Sequence, residues 1–485
     1  MPLPFALLGM LVSLALLIGF AYRGWTVLIL APVAAMLAAA FSGEPVLAHW
    51  TQTFMLAAAR FVAQFFPIFV LGALFGKLME DSGSVQAVAR FMMDTLGARR
   101  ALLAVVLGGA LITYGGVSLF VSFFVIAPMA RALFESADIP RRLMPAAIAL
   151  GTSTFTMSAL PGTPAIQNAI PMPFFGTTPF AAPGLGLIAS VIMASFGLWW
   201  LGRQAKRARS RGERFRDTAP PQAADDALVR ERATVAQAFD PAEIDAGDLS
   251  PDLPPIAVAV LPLVLVVATN LVMSAVVLPR IDAPWLEHAR WGGTSLSAVS
   301  GVWGVCVALA LAIVVLAILN RNRLRALRES VDAGANASVL PVMSVASLVG
   351  YGAVIAALPA FEPVRDAVLG IGGGPLVSLA VATNLLAGLT GSASGGLTIA
   401  LDALGNTFMT LSASHHIDPA LMHRIAVMSS GTLDSLPHNG AVVTLLAVCG
   451  CTHRDSYLDI VMVGIVGALI ALVAVIVLGT FFGAF

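Results

Sequence analysis

The chain has 485 residues, of which 58% are hydrophobic and 11% charged, with a mean hydropathy of +0.89, and that leaves too little polar side chain to cover a water-soluble domain of this size. Its 27 Lys and Arg balance 27 Asp and Glu, so no basic surface for nucleic acid is implied. The three cysteines, Cys306, Cys449 and Cys451, have neither the number nor the spacing of a disulfide framework or a zinc site, and they read as packing residues.

Lipid is therefore the solvent, and crossing about 30 Å of hydrocarbon takes roughly 20 apolar residues as helix. The first such run, from Pro2 to Tyr22, has no positive residue before it and no small-residue cleavage pattern after it, so it reads as a span rather than a signal peptide. In chain order, uninterrupted helices are expected near 3–21, 25–41, 57–78 and 183–202, then near 255–278, 297–319, 337–360 and 457–483. Between them, residues 101–133, 142–180, 375–411 and 421–450 are apolar but interrupted by glycine, proline and hydroxyl residues. The reading is a first membrane repeat over 1–202, with a re-entrant hairpin at 101–133 and a broken helix at 142–180. A hydrophilic linker over 203–254 follows, and then a second repeat over 255–485 with its hairpin at 375–411 and its broken helix at 421–450.

The linker opens with Arg203, Lys206, Arg207, Arg209, Arg211, Arg214 and Arg216 and turns acidic towards Asp252. With five spans per half and both termini outside, all of the 27 Lys and Arg except Arg60, Arg280, Arg290, Arg365 and Arg424 fall on the linker side, which is then cytoplasmic. An odd number of spans makes the second half enter the membrane opposite to the first. Paired landmarks agree: Gly115-Gly116-Val117-Ser118-Leu119 matches Gly395-Gly396-Leu397-Thr398-Ile399, and Leu160-Pro161 matches Leu436-Pro437, at separations of 45 and 41 residues. The expected fold is an all-α polytopic membrane protein of two inverted-topology repeats.

A helix broken within a membrane strands N–H and C=O groups that hydrocarbon cannot solvate, so breaks persist where protein, water or a ligand meets them. Half-helix N-termini at such breaks attract anions. The candidate substrate-binding residues are Gly115, Gly116, Val117, Ser118, Thr154, Thr163, Gln167 and Asn168 in the first half, and Ser392, Ser394, Gly395, Gly396, Thr432, Ser435 and Asn439 in the second. The competing reading is close helix packing through small residues. Asp402, Asp434 and His438 are the ionisable groups that stand out in the apolar zone, where a charge costs on the order of 3 kcal/mol. Asp434 and His438 flank Leu436-Pro437 and are the candidates for proton coupling; a helix-capping Asp and a backbone-bonded His are the structural alternative. An intramembrane hydrolase is disfavoured, since Ser392 and Ser394 do not form a Gly-x-Ser-x-Gly elbow and no base can be assigned. Two repeated broken half-sites favour alternating access over a channel.

The segments Tyr114-Gly115-Gly116-Val117-Ser118-Leu119-Phe120, Asp138-Ile139-Pro140-Arg141-Arg142-Leu143-Met144-Pro145 and Ala159-Leu160-Pro161-Gly162-Thr163-Pro164-Ala165-Ile166-Gln167-Asn168 resemble the gluconate permease family of proton symporters. So do Ser394-Gly395-Gly396-Leu397-Thr398 and Gly431-Thr432-Leu433-Asp434-Ser435-Leu436-Pro437-His438-Asn439-Gly440. The resemblance covers the membrane portion and does not extend to 203–254. It implies membership of the ion transporter superfamily, elevator-like motion and a location in the bacterial cytoplasmic membrane. It also implies proton-coupled uptake of a small hydroxylated monocarboxylate such as gluconate, another sugar acid, glycerate or 3-hydroxybutyrate, with sodium as the alternative coupling ion. No cofactor beyond the proton-motive force is expected; membrane lipid and a second copy of the chain, as a dimer, are the expected partners.

Overall fold

The computed structural model describes residues 3–21, 23, 25–215, 250, 252–437 and 439–485, and among these the regular structure is helical throughout, with no strand. Most of the linker, residues 216–249 and 251, lies outside the described residues, as does His438.

All eight uninterrupted apolar runs form helices. Six are long and apolar enough to cross a membrane: Val46–Asp81, Pro183–Ser210, Ile256–Arg280, Ala289–Leu319, Leu327–Ala357 and His453–Phe482. The other two, Leu3–Ala21 and Val27–Ser42, are shorter and pack on each other. Three of these helices contain an internal proline, Pro32, Pro67 and Pro262.

Each interrupted region is made of more than one helix. The first hairpin consists of Ala101–Tyr114 and Leu119–Ser136, turning through residues 115–118. The second consists of Pro375–Thr390 and Ala393–Ser414, turning at Gly391, whose φ of 63° suits glycine. The first broken helix is a series of short pieces, Met144–Thr152, Phe155–Ser158, Ile166–Ala169 and Pro171–Phe175. The second is Pro419–Thr432, a single 3₁₀ turn Leu433–Ser435, and Gly440–Cys449. The helix Ser84–Leu96, for which the sequence analysis gives no element, meets Ala98–Tyr114 at a 96° bend.

Small residues set how closely these parts approach. A Cβ on Gly396 would lie 2.2 Å from the Ala387 backbone, so the two arms of the second hairpin approach main chain to main chain. A Cβ on Gly151 would lie 2.4 Å from the Val106 carbonyl, which locks the first hairpin to the first broken helix. These are the small-residue contacts by which membrane helices pack without a hydrophobic drive between them.

Candidate functional site

Each hairpin tip is tied by hydrogen bonds to the Leu-Pro break of its own half. In the second half, the short turn Leu433–Ser435 presents Asp434, whose Oδ1 accepts from the Ala393 N–H at 2.8 Å and from Asn439 Nδ2 at 2.7 Å. Asn439 Nδ2 also donates to the Gly391 carbonyl at 2.8 Å, while its Oδ1 accepts from Ala441 N at 2.7 Å and caps the Gly440–Cys449 helix. Ser392 caps the next hairpin arm by accepting from Gly395 N at 3.1 Å, and Ser394 Oγ lies 3.4 Å from Ser392 Oγ. The last span braces the same break, with Tyr457 donating to the Ser435 carbonyl at 3.3 Å and His453 Nε2 to the Pro437 carbonyl at 2.7 Å.

In the first half, Tyr114 at the hairpin tip donates to the Pro161 carbonyl at 2.8 Å. Gly116 has a φ of 103°, Val117 is buried, and Ser118, at the start of Leu119–Ser136, makes no side-chain cap, so the first N–H groups of that helix are not met by a capping side chain. Asn168 is fully buried and committed to structure: its Nδ2 donates to the carbonyls of Thr163 and Pro179, both at 3.0 Å, and its Oδ1 faces His423 Nε2 at 3.2 Å. Gln167 differs, since its buried Oε1 has no partner among the described residues.

The remaining candidates divide by what their side chains touch. Thr154 and Thr432 turn back on their own helices, to the carbonyls of Leu150 at 2.7 Å and Met428 at 2.9 Å. Thr163 bonds Ala165 N within its own turn at 3.3 Å. Gly115 and Gly395 sit where a Cβ would strike Leu263 and Leu348, and Gly396 serves the arm contact already described. Ser435 is nearly buried against Gly464. Asp402 Oδ2 is buried without a partner among the described residues. His438 lies outside them.

Arg424, which the sequence reading placed outside the site, and His423, which it did not single out, belong to the frame of the site. Arg424, counted there with cations at or beyond the outer face, has no exposed surface; its Nε and Nη2 donate to the Ala181 carbonyl at 3.1 and 2.6 Å and its Nη1 to that of Ala159 at 3.2 Å. His423, equally buried, bonds Thr177 Oγ1 at 2.6 Å through Nδ1. Together they fasten the unwound 159–182 segment, supplying donors that hydrocarbon lacks. The available signal was two adjacent polar groups, His423 and Arg424, inside an apolar helix.

Arg424 is held near the first break, the Asp434 carboxylate joins the second tip to the second break, and a helix begins directly after each tip. No group of three or more His, Cys, Asp or Glu that would hold a metal ion occurs among the described residues.

Comparison with known proteins adds to this geometry. A family model described as GntP family permease matches residues 1–195. The uncharacterized transporter YxjC of Bacillus subtilis (strain 168) is 39% identical over 480 residues, covering 97% of this chain and 98% of the relative. The high-affinity gluconate transporter of Escherichia coli (strain K12) is 34% identical over 106 residues, 21% of this chain and 23% of that protein. The Gnt-II system L-idonate transporter of the same organism is 28% identical over 172 residues, 35% and 38% of the two chains. Among solved structures, Neisseria gonorrhoeae MtrF, described as illuminating a class of antimetabolite efflux pumps, aligns with a TM-score of 0.52 at 14% identity, over 88% of this chain and 83% of its own. At that identity the likeness is one of fold alone.

Proposed function

The chain belongs to the GntP permease family, and on that premise we propose that it takes up a small hydroxylated monocarboxylate together with a proton. It is a multi-pass membrane transporter and not an enzyme. The observation that carries the proposal is the Asp434 carboxylate, which bonds the N-terminus of one hairpin arm and the Asn439 cap of the helix beyond the break. Protonation of Asp434 removes the charge that holds these parts together, so a proton gained there is felt at the tip and at the break at once. Asp402 and the candidate His438 are the other titratable groups available to the same step.

In this reading the substrate carboxylate is held by helix N-termini and backbone N–H groups at the tips, with Ser118 at the uncapped first tip and Arg424 supplying positive charge nearby. Gln167, with its unpartnered oxygen, and the Ser392 and Ser394 hydroxyls take substrate hydroxyl groups. The two halves are inverted repeats, and hairpins and breaks move together as an elevator against a scaffold that a second copy of the chain helps to anchor. The linker is cytoplasmic and the membrane is the bacterial inner membrane. The names of the gluconate and idonate relatives support a sugar acid as substrate.

The test is uptake of labelled gluconate, glycerate and 3-hydroxybutyrate into proteoliposomes, with sorbitol as the uncharged control. At least one acid is expected to enter at a rate that the others compete, while sorbitol does not. Entry of none of the acids would overturn the substrate class.

A further inference from the structure

The carbonyls of the first break are met from different sides. Arg424 donates to that of Ala159, Tyr114 at the hairpin tip to that of Pro161, and Asn270 Nδ2 to that of Gly162 at 3.2 Å. The first two donors belong to the broken helices and the hairpin themselves. Asn270 does not: it lies on the span Ile256–Arg280, 108 residues further along the chain. It is fully buried in a helix, Ile256–Val272, whose other residues are apolar apart from Thr269. An amide in such a place is costly unless both its ends are bonded.

Both ends are. Ser274, one turn on, donates to Asn270 Oδ1 at 3.4 Å, which leaves Nδ2 aimed at Gly162. Gly304 on the neighbouring span leaves room for the pair, since a Cβ there would lie 3.2 Å from Asn270 Oδ1 and 3.4 Å from Ser274 Oγ. Directly past Asn270 the helix widens into a π-helical turn, Met273–Val277, a form that recurs at functional sites. The acceptor is fixed as well: Gly162 has a φ of 82°, donates its N–H to the Pro179 carbonyl at 2.9 Å, and stands where a Cβ would strike the Phe180 ring. Around this bond the contact is apolar. Gly115 rests on Leu263, Gly116 on Leu309 and Phe75, and Met172 on Gly301. Apolar contacts are non-directional and let two surfaces shift, whereas a hydrogen bond fixes one register.

We propose that Asn270 is a positioning residue for transport, a latch that holds the first break in one register against the spans Ile256–Arg280 and Ala289–Leu319 and releases Gly162 when the break moves. The latch rests on the reading that the breaks move during transport.

The experiment follows a thiol hidden by this contact, in the full chain in proteoliposomes. Met172→Cys places it against Gly301, and its alkylation by N-ethylmaleimide is timed by mass spectrometry beside that of the native Cys449, which is buried at the end of the Gly440–Cys449 helix. Asn270→Leu is close in size and removes the bond; it is expected to speed alkylation at position 172 about fivefold, the equilibrium worth of one hydrogen bond, with Cys449 unchanged. Ser274→Ala, which only frees the amide to turn, is expected to give a smaller rise. No rise at position 172 in either variant, or an equal rise at Cys449 from a fold loosened throughout, overturns the latch. The movement has its own test. Cβ atoms at Gly176 and Ser297 would lie 3.8 Å apart, within disulfide reach. Gly176→Cys with Ser297→Cys, once oxidised, is expected to stop uptake of the labelled acid that the parent carries and to regain it on reduction. Uptake that persists in the cross-linked protein overturns the movement itself, whereas blocked uptake with no rise at position 172 overturns the latch alone.

Discussion

The Asp434 carboxylate and the backbone N–H of Ala393 meet at 2.8 Å across 41 residues of chain, joining the second break to the second hairpin tip. The bond places an ionisable group at a junction between two parts that the proposed cycle moves, which is where a coupling residue has to stand. Asp434→Asn keeps an acceptor at this position but cannot carry a proton. The expected outcome is retained exchange of labelled for unlabelled substrate across the membrane with loss of gradient-driven accumulation. Asp434→Ala leaves the Ala393 and Asn439 donors unmet and is expected to cost about 1–3 kcal/mol of stability as well.

The first half offers a milder counterpart. Tyr114→Phe removes the single neutral bond to the Pro161 carbonyl while keeping the ring, so the stability loss is expected to be about 1 kcal/mol, read as a small drop in unfolding temperature. Transport is expected to slow without change of substrate preference, checked by competition among the three acids.

Gly396→Ala puts a methyl group 2.2 Å from the Ala387 backbone, and no rotamer change can relieve a contact with main chain. Loss of folded protein is expected, measured as monodisperse yield after extraction. Gly72→Ala is the matched control, since nothing lies within 4 Å of the added Cβ and alanine favours helix; its yield is expected to equal or exceed that of the parent.

Arg424→Met tests the clamp on the unwound segment. Two buried carbonyls, of Ala159 and Ala181, lose their donors at about 1–3 kcal/mol each. A fall of several degrees in unfolding temperature is expected. Arg424→Lys recovers part of it, because an ammonium supplies donors but not the flat fork that spans both oxygens.

Around Arg142, burial decides which carboxylate matters. Asp459 is 4% exposed and also accepts from Trp200, whereas Glu213 is 28% exposed. Asp459→Ala is expected to destabilise strongly and Glu213→Ala by no more than about 1 kcal/mol, compared by thermal unfolding of the two variants.

Much of this was legible before any coordinates. Apolar run length located the eight long helices expected but not the helix Ser84–Leu96, and Gly115-Gly116, Leu160-Pro161 and Leu436-Pro437 fall at a turn or break, whereas Gly395-Gly396 lies inside Ala393–Ser414 and the second tip turns at Gly391. The partners were not legible. Arg424 reaches carbonyls 243 and 265 residues away in sequence, and nothing local to it distinguishes that role from an outer-face cation. Asn168 and Gln167 are neighbours with the same side-chain chemistry, yet one is locked by Thr163, Pro179 and His423 and the other has a free oxygen. Only packing separates them.

The most direct test of proton-coupled uptake is accumulation of the transported acid in proteoliposomes under an imposed gradient of protons, of sodium, or of neither. The account predicts accumulation when the outside is acid, abolished by a protonophore and by Asp434→Asn, with no requirement for sodium. Accumulation that follows the sodium gradient and survives in Asp434→Asn would contradict it.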